Sequence, residues 1–333
     1  MRLLVIGRSG QLARALDAAA GGGVRMRCLG RDAVDLTIHG QAGGAIAVER
    51  PDLVINAAAY TAVDDAETER ETAFRVNGAA VGEIARAASA AGAALIHIST
   101  DYVFDGRKTG AYVEADPVSP SNAYGASKRA GELAALRGCA RTVVLRTSWV
   151  YSPWGRNFVL TMLKLAREHT RLRIVDDQYG KPTSALDLAD ACLAIGPRLV
   201  AAPAESPLWG LYHYAGGGAC CWADFAAGIF DQAGRRHGGR IPGIERIGTA
   251  DYPTKVPRPA NSALDCSKFE TIFGITTVPW PAALARVLGM IEDRARVRRL
   301  SPDGEPAPCL PGQAGRSAPE APDRRRSGRS TAR

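Results

Sequence analysis

The chain of 333 residues lacks any run of about 20 apolar residues, the length a helix needs to cross a bilayer. Its opening stretch, MRLLVIG, is too short for a secretory signal and reads directly into a strand. A cytoplasmic protein with no membrane partner is expected. Cys-x-x-Cys pairs are also missing. The seven cysteines (Cys28, Cys139, Cys192, Cys220, Cys221, Cys266 and Cys309) are odd in number, and reduced thiols are expected rather than a disulfide framework. The five histidines are scattered and form no cluster with cysteine, so no metal site is expected. A basic nucleic-acid groove is absent as well. Of the net charge of +8, residues 294–333 carry +6 through ten arginines against four acids, which leaves +2 for residues 1–293. No internal repeat is found.

What is present is a βαβ rhythm. Segments 2–7, 24–30, 52–59, 94–100 and 142–148 are short runs rich in Val, Ile and Leu, and Ala-rich helical segments lie near 10–20, 39–50, 70–92 and 122–138. This pattern predicts an α/β fold, a Rossmann-type doubly wound parallel sheet. We read residues 1–170 as a dinucleotide-binding domain and 171–299 as a smaller C-terminal substrate-binding lobe, the two interleaving in sequence. In that lobe 211–218 reads as a strand into a Gly-rich turn, and Ser184 as a helix cap. Residues 300–333 are rich in Pro, Gly, Ser and Arg and poor in core formers, and are expected to be a disordered basic tail.

Gly7, Gly10 and Ala13 form G-x-x-G-x-x-A directly after the first strand and open a helix. The first glycine permits a tight turn, the second lets backbone approach a pyrophosphate, and the small third residue lets the helix pack on the sheet. The helix N-terminus then offers its free N–H groups to phosphate. A carboxylate at the tip of the second strand would take a ribose 2′-hydroxyl. Here Gly30 stands there, followed by Arg31, a guanidinium suited to a 2′-phosphate. NADPH is therefore expected as the preferred cofactor and NADH as an alternative, with Asp32 nearby weighing against the phosphate. Asp35 and Leu36 follow and are placed under the adenine, or else they form a helix-start turn.

Ser99, Thr100 and Asp101 end the fourth strand, at the edge where open α/β sheets bind ligands. Tyr124 and Lys128, four residues apart, share one face at the start of the next helix. Reduction of a ketone needs hydride at carbon and a proton at oxygen. A tyrosine can supply the proton, and a nearby ammonium favours its phenolate and lowers its pKa from about 10. Thr100 can hydrogen-bond the same oxygen. Tyr-x-x-x-Lys alone also describes an ordinary helix face. Together with the glycine turn and STDYVF it resembles the short-chain dehydrogenases/reductases.

The resemblance narrows further. VINAAAYTAVDDAE (54–67), STDYVFDG (99–106), YGASKRAGE (124–132), RTSWVY (146–151), DDQYGKPT (176–183), GLYHYAG (210–216) and RPANSALD (258–265) resemble the dTDP-4-dehydrorhamnose reductase family from residue 1 to about 293. The resemblance implies reduction of dTDP-4-dehydro-6-deoxy-L-mannose to dTDP-L-rhamnose with NAD(P)H, in cell-surface polysaccharide biosynthesis. It implies Thr100, Tyr124 and Lys128 as the catalytic residues, with Tyr124 the proton donor. Gly10, Gln11 and Leu12 would line the pyrophosphate, Asp35 and Leu36 the adenine, and Ala59, Tyr60 and Thr61 the remaining cofactor. Asp101, Tyr102 and Trp149 would surround the sugar of a dTDP-sugar substrate, and Arg258 would meet its diphosphate. Trp149 and Arg258 also admit purely structural readings, a core ring and an Arg-Pro turn. Some family members hold magnesium at a dimer contact through glutamates. Ala15 and Leu186 take those places here, so no metal is expected and homodimer formation is left open. Two other readings stand beside this one. A related nucleotide-deoxysugar ketoreductase or epimerase would share the motifs. So would a non-catalytic regulatory subunit like that of methionine adenosyltransferase, but it would have no need of both Tyr124 and Lys128.

Overall fold

A computed structural model describes residues 1–237 and 241–300. The tail read as disordered lies outside them beyond residue 300. In chain order the main elements are β1 (Arg2–Ile6), α1 (Gln11–Ala19), β2 (Arg25–Leu29), α2 (Gln41–Glu49), β3 (Leu53–Asn56), α3 (Arg70–Phe74), α4 (Ala80–Ala90), β4 (Ala94–Thr100), α5 (Ala123–Gly138), β5 (Thr142–Thr147), α6 (Phe158–Glu168), α7 (Ala185–Ala201), β6 (Gly210–His213), α8 (Trp222–His237), α9 (Ser267–Phe273) and α10 (Trp280–Leu300). Six strands form one parallel sheet in the order β6-β5-β4-β3-β1-β2. Strand order reverses between β1 and its neighbours β2 and β3, and the crevice beyond the carboxyl ends there is where doubly wound sheets take ligands.

The strands read as continuous apolar runs because both faces are covered. Alternate residues of a strand point to opposite faces. Leu3 and Val5 of β1 therefore join the core under α1 and α7, and Leu4 and Ile6 join the core under α2 and α4. All four are 2 % exposed or less. Burial of each such side chain contributes about 1.5–3 kcal/mol.

Residues 1–292 cluster as one unit. The stretch read from sequence as a second lobe returns to the sheet in its middle. The strand expected at 211–218 is β6, which pairs with β5 in the register Leu211↔Val144, and α7 packs on α1. Ser184 caps α7 by accepting hydrogen bonds from the Leu186 and Asp187 amides at 3.2 and 3.5 Å. The remainder of that stretch builds small two-stranded pairs, such as Arg171–Val175 with Gly243–Ile247.

Two local features set the floor of the site. The helical pattern over 70–92 is broken by a π-turn at Arg75–Ala79 between α3 and α4, a feature common at functional sites. Against that turn lies Gly131 of α5, where a Cβ would run into the Asn77 carbonyl oxygen. Among the described residues no helix is long and apolar enough to cross a membrane.

Candidate active site

At the β1–α1 turn, Gly7 has φ +114°, and its missing Cβ would lie 3.3 Å from the Ala58 nitrogen. Only glycine takes that conformation without strain. Gly10 caps α1 without any side-chain hydrogen bond, and the first turn holds no acid. A Cβ on Gly10 would meet nothing within 4 Å. The helix thus leaves its N-terminal donors unspent toward an open space, which fits a pyrophosphate. Gln11 is tied to the 150–157 segment: its amide donates to the Val150 carbonyl at 3.2 Å, and its Oε1 accepts from Ser152 and Asn157 at 2.9 and 3.1 Å. Leu12 and Ala13 are buried against the sheet.

Just beyond the carboxyl end of β2 two ion pairs form. Arg31 meets Asp35 at 3.1 Å, and Arg8 meets Asp32 at 3.0 Å. Hydrogen bonds from Thr37 pull Asp35 down to about 2. Asp32, the acid counted against the phosphate, is thus occupied by Arg8. Arg8 is a site residue that sequence reasoning missed, although its signal was a guanidinium inside the glycine turn.

One cavity, of about 1100 Å³, is lined by all of Gly7, Gly10, Gln11, Leu12, Arg31, Asp35, Leu36, Ala59, Tyr60, Thr61, Thr100, Asp101, Tyr102, Tyr124, Lys128 and Trp149. Arg258 is not part of its lining. Thr100 ends β4, accepts from the Tyr102 amide at 3.2 Å and donates to Asp101 Oδ1 at 3.0 Å. Tyr124 and Tyr102 meet edge to face with centroids 5.5 Å apart. Burial pushes the Tyr124 phenol up to about 12, with the Thr100 hydroxyl working against that rise. Lys128 donates to the Ile98 carbonyl at 2.6 Å, and burial brings its ammonium down to about 8. The expectation that Lys128 lowers the tyrosine is therefore not met in the chain by itself. Desolvation outweighs every charge, and the ammonium is engaged by β4. A neutral phenol at physiological pH is nonetheless the form a proton donor requires. Burial also raises Asp101, to about 7. Its Oδ2 is buried without a hydrogen-bond partner, an acceptor left for a ligand hydroxyl.

Trp149 sits at φ +49°, in the left-handed region and costly for a bulky residue. Its ring stacks on Trp222 at 3.4 Å, and its Nε1–H donates to Ser262 at 3.1 Å. One ring face is therefore spent on Trp222, and Gly180 is packed against the ring as well, both partners unseen in the sequence. Arg258 is held by Asp64 at 2.6 Å and has a second nitrogen, Nη1, buried without a partner. Asn77, on the π-turn, brackets Tyr60 by accepting from its N–H at 2.8 Å and donating to its carbonyl at 3.0 Å. It also donates to Ser127, beside Lys128, at 3.0 Å. Ala15 and Leu186 are both packed in the apolar core. Among the described residues no group of three or more His, Cys, Asp or Glu is placed to hold a metal.

The sequence model of one protein family, the RmlD substrate binding domain, matches residues 1–292. A dTDP-4-dehydrorhamnose reductase of Sinorhizobium fredii is 42% identical over 86% of this chain and 97% of its own length. Another, of Aggregatibacter actinomycetemcomitans, is 40% identical over 87% and 99%. Among solved structures, a dTDP-4-dehydrorhamnose reductase of Bacillus anthracis in complex with NADP superposes with a TM-score of 0.79. It is 32% identical and covers 87% of this chain and 99% of its own.

Proposed function

Because residues 1–292 belong to the RmlD substrate-binding-domain family, that of the dTDP-4-dehydrorhamnose reductases, we propose that this protein reduces dTDP-4-dehydro-6-deoxy-L-mannose to dTDP-L-rhamnose. NADPH is the preferred cofactor and NADH an alternative. The observation that carries the reading is the convergence of Thr100, Tyr124 and Lys128 in the cavity that opens on the uncapped α1 N-terminus. When bound, the nicotinamide cofactor supplies hydride to C4 of the sugar.

The chain's own residues do the rest. The Gly7–Leu12 turn and α1 bind the pyrophosphate. Arg31 takes the 2′-phosphate by exchanging its Asp35 partner for a stronger anion. Ala59, Tyr60 and Thr61 position the cofactor, with Tyr60 held by Asn77. Tyr124, neutral because it is buried, donates its hydroxyl proton to the C4 oxygen, and Thr100 hydrogen-bonds that oxygen. Lys128 meets the nicotinamide ribose and stabilises the phenolate left behind. Asp101 Oδ2 and Tyr102 receive the sugar hydroxyls, Trp149 borders the sugar with its ring edge, and Arg258 meets the diphosphate. The test is loss of NADPH absorbance on addition of dTDP-4-dehydrorhamnose to the purified protein. No turnover at saturating NADPH would refute the proposal.

A further inference from the structure

One turn below Lys128, α5 carries Glu132, which is fully buried and opposes a fully buried Arg146 on β5. The pair is bidentate: Arg146 donates through Nε at 2.7 Å and Nη2 at 2.8 Å. Ser99 of β4, the residue before Thr100, donates to Glu132 at 2.7 Å, and Arg129 donates at 2.8 Å. Arg146 in turn lies 4.9 Å over the Phe104 ring and 3.5 Å from His213 Nε2 on β6. A buried ion pair of this kind is a poor device for stability, because desolvation consumes most of the Coulomb gain. Its place is informative: it joins the strand end that carries Thr100 to the helix that carries Tyr124 and Lys128. Glu132 touches neither the cavity nor any atom that would react.

We propose that Glu132 is a positioning residue for the reduction. Through Ser99 and Arg146 it fixes α5, and with it Tyr124 and Lys128, on β4 and β5. The inference rests on the functional reading above. The groups facing Lys128 are Tyr124 and Glu132 on α5 and His97 on β4, with Asp101, Arg129 and Arg146 beyond them. Burial lowers the Lys128 pKa, and Glu132 is the charge that raises it. His97 is held neutral by burial and by Lys128 itself, so it does not titrate in the working range. Asp101 is common to every variant, so its titration cancels in a comparison. The ammonium is present below the lysine pKa and lost above it. Loss of the Glu132 charge therefore moves the alkaline limb of cofactor binding and of kcat to lower pH.

Glu132→Gln alone leaves Arg146 buried and unpaired, so the informative variant removes both charges, Glu132→Gln with Arg146→Met. NADPH affinity, read from nucleotide fluorescence without any sugar, is measured against pH for wild type, the double variant and Glu132→Asp. The double variant is expected to fold and to show its alkaline limb displaced downward, by less than the roughly one pH unit that loss of the Glu132 charge alone would bring one helical turn away, because the opposing Arg146 charge goes with it. With sugar present, its kcat at pH 8 should fall about twofold to fivefold, with KM for the sugar little changed. Glu132→Asp keeps the charge and should keep the limb. A folded double variant with the wild-type limb would overturn the proposal and leave the pair a purely structural one. Because affinity is read without sugar, failure of the substrate assignment would show separately, as absent turnover in wild type.

Discussion

Tyr124 illustrates how a single side chain is prepared before any ligand arrives. Its phenol is pushed up by burial, so in the reaction we propose it enters as a neutral donor, with Lys128 one helical turn away. Tyr124→Phe removes the proton and little volume. It should lower kcat by about 10²–10⁴-fold, the range of general acid contributions, while NADPH affinity stays near wild type. Near-normal turnover would refute the donor role. Arg8 and Arg31 act at the other end of the cavity, each resting on a carboxylate. If their guanidiniums take the 2′-phosphate, Arg31→Ala and Arg8→Ala should each reduce kcat/KM for NADPH about tenfold or more, with little change for NADH. An unchanged ratio in both variants would remove these arginines from cofactor choice. Arg31 was legible in the sequence because the strand tip lacks an acid. Arg8 was not, because a lone arginine in a loop reads as solvated until its distance to Asp32 is known.

The element that organises the site is α5. Asn122 caps it by accepting from the Gly125 amide at 2.8 Å. Its packing on the π-turn is possible because residue 131 has no side chain. Gly131→Ala should cost about 1–3 kcal/mol through overpacking. In a chain of this size that lowers Tm by several degrees, as differential scanning calorimetry would show; an unchanged Tm would mean the two backbones part freely. The helical spacing over 122–138 was legible from sequence, and the observed helix covers Ala123–Gly138. The π-turn was not, because Val76, Ala80 and Ile84 continue an ordinary apolar periodicity through it. Its consequence is the placement of the Asn77 side-chain amide, which fastens Tyr60 and Ser127.

For the molecule as a whole, the alternation of strands and helices from residue 2 to 147 was readable because buried parallel strands are apolar on both faces. The return of β6 to the sheet was not readable, since pairing of Leu211 with Val144 is a choice made across 67 residues of chain. The stacking of Trp149 on Trp222 is hidden for the same reason. Both fasten the later half of the chain to the elements around the cavity, where we place cofactor and sugar in one joint site, and Trp222 backs Trp149 of its lining. The most direct test of that joint site is a reaction with dTDP-4-dehydrorhamnose and NADPH deuterated at the transferable position, with the product examined by NMR. The expected result is dTDP-L-rhamnose carrying deuterium at C4. A product without deuterium at C4, or no product, would contradict the account.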